Sequence, residues 1–121
     1  MMEAARKTET FWRGIDCFNR REFFTCHELL EEIWLQESEP EKPYYQGLIQ
    51  VAAAFHHFLN GNRAGTESLL PAGVEKLRHY PRDYNGIDLA GLLADLQPWL
   101  ERLDLRQSLD ALPLPTIRRL A

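Results

Sequence analysis

One stretch of the chain, residues 43–62, constrains the fold more than any other. It reads PYYQGLIQVAAAFHHFLNGN and contains no Asp, Glu, Lys or Arg, although 26% of the whole chain is charged. A helix that faces water rarely avoids charge for that long, whereas a helix surrounded by other helices can. The stretch therefore predicts the central helix of an all-helical protein.

Two stripes run along this predicted helix at spacings of three and four residues. The first is apolar and comprises Tyr44, Leu48, Val51, Phe55 and Phe58. The second is polar but uncharged and comprises Gln46, Gln50, Ala53 and His57. Uncharged polar groups away from water need hydrogen-bond partners, so the second stripe predicts a neighbouring helix that brings matching polar groups.

The same stretch does not predict a membrane span. Its length is near the ~20 residues that a span requires. It nevertheless carries two Gln, two His and two Asn, and no other segment of the chain is comparably apolar. We therefore expect no contact with a membrane.

Length and charge limit the classes of protein that need to be considered. The chain has 121 residues, which predicts a single helical domain over 1–121. Its net charge is -4, and no basic run is longer than an arginine pair, which argues against a nucleic-acid surface.

The cysteines and the N-terminus favour a cytoplasmic protein. The two cysteines, Cys17 and Cys26, match no metal-binding spacing and are too few for a disulfide framework. They suit a reducing compartment. Residues 1–6, MMEAAR, lack the apolar core of a signal peptide.

Apolar periodicity, caps and prolines predict about five helices in an antiparallel bundle, because the loops between them are short. We predict helices over residues 3–18, 22–36, 43–62 and 63–79, and a fifth that begins after an N-cap at Asp88. Pro71 and Pro98 predict a kink or a break within the fourth and fifth helices. The tail over 112–121, LPLPTIRRLA, contains too much proline for one regular helix.

The second predicted helix places two titratable side chains inside an apolar arc. His27 and Glu31 are four residues apart, so they are neighbours on the helix surface. Trp34 lies on one flank of the pair, and Phe24 and Leu35 lie on the other. A carboxylate in apolar surroundings is costly unless it is paired. The simplest packing therefore sets this pair face to face with the stripe of Gln46, Gln50 and His57, as a buried His/Glu/Gln network.

Such a network permits several functions, which the residues alone leave open. It could simply fix the register of the helices. His27 and Glu31 could act as an acid/base pair, and with His57 they could hold a divalent metal, as in a hydrolase-like protein. A small-ligand pocket would involve Trp34, Gln46, Gln50 and His57.

Two runs of the chain together resemble the DUF309 family of small all-helical proteins. They are FWRGIDCFNRREFFTCHELLEEIW and YYQGLIQVAAAFHHFLNGNRAGTESLL. The set that carries the resemblance comprises Phe18-Asn19, His27-Glu28, Glu31, Trp34, Gln46-Gly47-Leu48-Ile49-Gln50, Ala53, His57, Gly61-Asn62 and Gly65. The resemblance implies about five helices and an unassigned function. The family often has Gly where Arg21 stands, and it normally continues a helix where Pro71 falls.

Taken together, the sequence favours a non-catalytic helical protein. It would act through a protein partner or as a homo-oligomer, using apolar surface left by the fourth and fifth helices and the tail. The alternative is a metal-binding or acid/base enzyme that uses His27, Glu31 and His57.

Overall fold

The computed structural model describes residues 2–121, and its helices follow the predicted order. The chain forms an all-α fold, and the described residues form no strand beyond one isolated bridge between Ile87 and Arg119. A short 3-10 turn, Tyr84–Gly86, precedes the last helix. The five α-helices are α1 (Ala4–Asn19), α2 (Phe23–Trp34), α3 (Lys42–Leu59), α4 (Arg63–Leu77) and α5 (Leu89–Asp104).

The uncharged stretch forms the central helix, as predicted. α3 packs against α2 on one side and against α4 on the other, while α1 covers α2. Tyr44, Leu48, Val51 and Phe55 of the apolar stripe are buried. Phe55 also meets Trp99 of α5 edge to face, with ring centroids 4.9 Å apart. The core is therefore built around α3.

Local capping signals set several helix ends. The side chains of Asn62 and Asp88 accept hydrogen bonds from the backbone N–H groups of Gly65 (3.1 Å) and Gly91 (2.9 Å) at the starts of α4 and α5. The predicted cap at Asp88 is thus confirmed. After α1, Arg21 adopts a left-handed conformation with φ 68°. Glycine adopts this conformation at no steric cost, so Arg21 stands at a position that favours glycine.

Of the kink or break predicted at Pro71 and at Pro98, the break does not occur. α4 runs through Pro71 as one helix, and α5 runs through Pro98. Each proline removes one backbone donor, yet both lie on exposed positions where the freed carbonyl can meet water. The buried residues of α4, among them Leu70, Val74 and Leu77, hold the rest of that helix against the core.

α3 and α4 approach each other closely along a seam of small residues. A Cβ atom at Gly73 would lie 2.7 Å from the carbonyl oxygen of Gly47, so only glycine fits at that position. Further along, the Thr66 hydroxyl donates a hydrogen bond to the carbonyl oxygen of Ala54 at 3.1 Å. We call this contact the α3–α4 seam.

The proline-containing tail folds back over α1 and the start of α5. Asn19 binds the backbone of Ile117 twice: its amide donates to the carbonyl (2.8 Å) and its oxygen accepts from the N–H (2.7 Å). The Trp99 indole N–H donates to the Pro113 carbonyl at 3.2 Å. Because Ile117 is buried, the tail completes the core at this end of the molecule.

Within residues 2–121, no helix is both long and apolar enough to cross a membrane.

Candidate functional site

The predicted neighbours on α2 meet, but they are not sealed from water. The Nε2 atom of His27 lies 3.4 Å from a carboxylate oxygen of Glu31. The side chains of His27 and Glu31 keep 30% and 44% of their exposure. The Nδ1 atom of His27 is buried and has no hydrogen-bond partner. The pair is therefore a half-exposed contact on the outer surface of α2.

The polar side of α3 meets α4, and the predicted face-to-face packing with His27 and Glu31 was wrong. Gln50 accepts a hydrogen bond from the Lys76 ammonium at 3.0 Å. The Nδ1 atom of His57 lies 3.0 Å from the Asn62 side-chain nitrogen, at the start of α4. A Cβ atom at Gly65 would lie 2.5 Å from the His57 ring.

Small residues account for this choice of neighbour. Gly47, Gln50, Ala54 and His57 recur at spacings of three and four, so they share one side of α3. The glycine on that side admits the backbone of α4, and the polar side chains are carried toward α4 with it. Gly47, in the Gln-Gly-Leu-Ile-Gln run, was the sequence feature that could have predicted the packing of this side against α4.

The three proposed metal ligands do not come together. His27 and Glu31 lie on the surface of α2, whereas His57 packs at the start of α4. Across residues 2–121, no three His, Cys, Asp or Glu side chains lie close enough to hold one metal ion.

The proposed ligand-binding residues are also spread over different contacts. Trp34 is half-buried beneath the Lys42 ammonium, which lies 4.8 Å from the ring centroid, and its indole N–H is buried without a partner. Gln46 is half-buried on α3, while Gln50 and His57 contact α4. The cavities of about 910, 370, 340 and 230 Å³ are lined by other residues.

His56 of α3 belongs to a row of aromatic rings on the surface. Its ring lies 5.3 Å from that of Phe24, and Phe24 stacks on His27 at 6.0 Å. Phe24 is 54% exposed, so this row of rings is a surface feature. The spacing of Phe24 and His27 was visible in the sequence, but the position of His56 depended on the rotation of α3 about its own axis.

A tyrosine group under the 3-10 turn was not recognised from the sequence. Tyr80 and Tyr84 pack on Tyr44 with centroids 5.3 and 4.7 Å away. The Tyr45 hydroxyl accepts a hydrogen bond from the Asn85 amide at 3.2 Å. Burial raises the pKa of Tyr44 and of Tyr45 above the ordinary range, so both stay neutral. The group supports the loop after α4 and offers no acid or base near neutral pH.

Burial gives Cys26 a structural role. The side chain is fully buried, and desolvation raises the pKa of its thiol well above the usual range. Because the thiolate is the reactive form, Cys26 is inert as a nucleophile.

A broad concave feature lies between α4 and α5. Its volume is about 910 Å³. α4 contributes Pro71, Ala72 and Val74, and α5 contributes Leu100 and Leu103. Half of the lining residues are charged: Glu67, Glu75, Arg78, Glu101, Asp104 and Arg106. We call this feature the α4–α5 groove.

Comparison with known proteins gives a family but no activity. Residues 11–69 match a family described as "Domain of unknown function (DUF309)". The chain is 30% identical over 98 residues to an uncharacterized protein of Aquifex aeolicus (strain VF5), a match that covers 80% of this chain and 29% of that protein. It is also 32% identical over 98 residues to the uncharacterized protein YpuF of Bacillus subtilis (strain 168), covering 78% of this chain and 56% of YpuF.

In both cases the matched region is a part of a longer relative. It spans less than a third of the Aquifex protein and a little over half of YpuF. The resemblance that the motifs suggested is thereby confirmed: residues 11–69, from α1 into α4, are similar to the DUF309 family.

Proposed function

We propose that this is a non-catalytic cytoplasmic protein that binds a helical segment of a partner protein in the α4–α5 groove. The observation that carries the proposal is the groove itself, an open channel of about 910 Å³ between two helices. Partner helices commonly dock with an apolar side in such channels, where the edges supply polar contacts.

The composition of the groove suits such a partner. Val74 is buried at its base, and Leu100 and Leu103 are half-buried beside it. Removing this apolar surface from water would favour association by roughly 25 cal/mol per Å² covered. The charged groups that line the groove would set the orientation of the partner more than its affinity.

Pro71 offers independent support for a role of this groove. Proline inside a helix costs about 3 kcal/mol relative to alanine. Pro71 is exposed on α4 and lines the groove, so burial in the core does not compensate for that cost. A residue that disfavours its own secondary structure and brings no gain in stability is expected at a functional surface.

The matches to longer relatives fit a domain that acts by binding. In the Aquifex protein the matched region makes up 29% of the chain, as expected of a unit that serves larger proteins. Acid/base chemistry by His27 and Glu31 is the weaker alternative, because the pair lies outside the α4–α5 groove. We expect no nucleic-acid partner, since the net charge is -4.

Affinity capture with two matched variants tests the proposal. Ala72→Arg places a long charged side chain in the groove, whereas Ala64→Arg places the same side chain on an exposed position of α4 outside it. We expect wild type and Ala64→Arg to retain the same partner from a lysate of the native host, and Ala72→Arg to lose it. A partner retained equally by all three proteins would refute the groove as the binding site, and recovery of this chain alone would indicate self-association.

A further inference from the structure

The outer side of α2 carries two large apolar side chains that stay more than half exposed. Phe24 and Leu35 keep 54% and 63% of their exposure, and they belong to the few large apolar side chains that remain exposed in the described chain. They lie on one side of the helix about three turns apart, roughly 16 Å at 1.5 Å per residue. Single exposed leucines are common, but two large groups in line along one helix offer two apolar contacts to one partner.

Carboxylates occupy the surface between these two groups. Glu28 and Glu32 are exposed, and Glu31 is half-exposed beside His27. From Glu22 to Glu41 the chain has seven glutamates and no lysine or arginine, although the whole chain has a net charge of only -4. Three cations approach this segment: Arg20 meets Glu22 (3.6 Å), Lys7 meets Glu37 (2.6 Å), and the Lys42 ammonium lies 4.8 Å from the ring centroid of Trp34.

We propose that this side of α2 is a second docking surface, for an amphipathic helix of another protein that bears lysine or arginine between two apolar residues. The apolar residues would cover Phe24 and Leu35, and the cations would meet Glu28, Glu31 and Glu32. Complementary charge raises the association rate and excludes acidic partners, while the apolar groups supply the affinity.

The surface is separate from the α4–α5 groove. α3 lies between α2 and α4, so one protein could hold both partners at once. The inference depends on the exposure and charge of α2 alone, and failure of the groove proposal would leave it unchanged.

A defined peptide titration tests the inference. The probe is a helical peptide with leucines about three turns apart and lysines between them, and the control peptide has glutamate in place of lysine. We expect the lysine peptide to shift the backbone amide resonances of α2 in the labelled full chain, with binding weakened by salt. The glutamate peptide should leave these resonances unchanged.

Variants separate a specific surface from general attraction between opposite charges. The double variant Glu28→Lys/Glu32→Lys should weaken binding of the lysine peptide by at least about tenfold, and Phe24→Ser should weaken it several-fold. The control Glu9→Lys/Asp95→Lys makes the same charge change on exposed positions of α1 and α5 and should bind as wild type does. Equal weakening by both double variants would overturn the inference. So would a dimer of the free protein that dissociates in the Phe24→Ser variant, because a second copy would then cover the surface.

Discussion

The two sides of α4 differ sharply in how they are packed. Toward α3, glycines and Thr66 bring the helices so close that a Cβ atom at Gly73 would reach the Gly47 carbonyl. Toward α5, the same helix leaves a channel of about 910 Å³. The α3–α4 seam therefore supplies the stability of α4, and the α4–α5 groove is free to serve another purpose.

The largest change in the free energy of unfolding is expected from placing a bulkier side chain in the α3–α4 seam. Gly73→Val places three carbons where one Cβ would already lie 2.7 Å from a backbone oxygen, and backbone cannot move aside as a side chain does. We expect a loss of about 3 kcal/mol in the free energy of unfolding, at the upper end of the cost of overpacking. Urea denaturation followed by circular dichroism measures it, and a loss below about 1 kcal/mol would mean that the helices separate easily.

A smaller effect, an increase in the free energy of unfolding, is expected on the side of α4 that faces α5. Pro71→Ala restores a backbone donor and removes the proline ring from an exposed helix position. We expect a gain of about 2 kcal/mol in the free energy of unfolding, less than the full proline penalty because α4 has already adapted to Pro71. The same denaturation measurement applies. A destabilised variant would show that the proline ring makes contacts needed for folding.

Thr66→Val probes the polar part of the α3–α4 seam without changing its shape. The substitution removes a buried hydroxyl that donates to the Ala54 carbonyl at 3.1 Å. We expect a loss of about 1 kcal/mol, the typical net value of one hydrogen bond. Thr66→Ser keeps the hydroxyl and removes the methyl group, so it serves as the control for packing.

Ala72→Val is the matched counterpart of Gly73→Val. The two positions are adjacent in the chain, but residue 72 faces the α4–α5 groove. We expect the free energy of unfolding to change by less than about 0.5 kcal/mol, as for most surface substitutions. Thermal unfolding of both variants side by side measures the difference. Similar losses of stability in both variants would contradict the difference in packing between the two sides of α4.

The smallest effect is expected at Glu31. A buried network predicts that Glu31→Ala costs more than Glu32→Ala, but the Glu31 side chain is 44% exposed and meets only a half-exposed histidine. Exposed pairs of this kind contribute little, so we expect less than about 0.5 kcal/mol for either substitution. A double-mutant cycle with His27→Ala measures the coupling, and a value above 1 kcal/mol would restore the buried network.

The order of the helices could be predicted from the sequence because its signals are local. The uncharged run of α3, the cap at Asp88 and Gly61-Asn62 after α3 each depend on a few neighbouring residues. The free-energy cost of a proline in a helix is local too, but whether the helix breaks there depends on contacts with the rest of the fold. At Pro71 the contacts of Leu70 and Val74 with the core outweighed the missing backbone hydrogen bond.

The candidate site was harder to predict because it depended on which helix α3 meets on each side. The spacing of His27 and Glu31 correctly predicted their contact. The choice of α4 as the partner of Gln50 and His57 depended on the close approach at Gly47 and Gly73, which are distant in sequence. The α4–α5 groove left no sequence pattern, because it results from how two amphipathic helices are spaced.

Site-specific photo-cross-linking tests most directly whether the open side of α4, the α4–α5 groove, binds a partner. A photoreactive amino acid is placed at position 72 in the α4–α5 groove or at the exposed position 64. Each protein is irradiated in its native host, and the cross-linked peptides are identified by mass spectrometry. The proposed function predicts one recurrent partner segment at position 72 that is absent at position 64. The same mixture of proteins at both positions, or no partner at position 72, would contradict it.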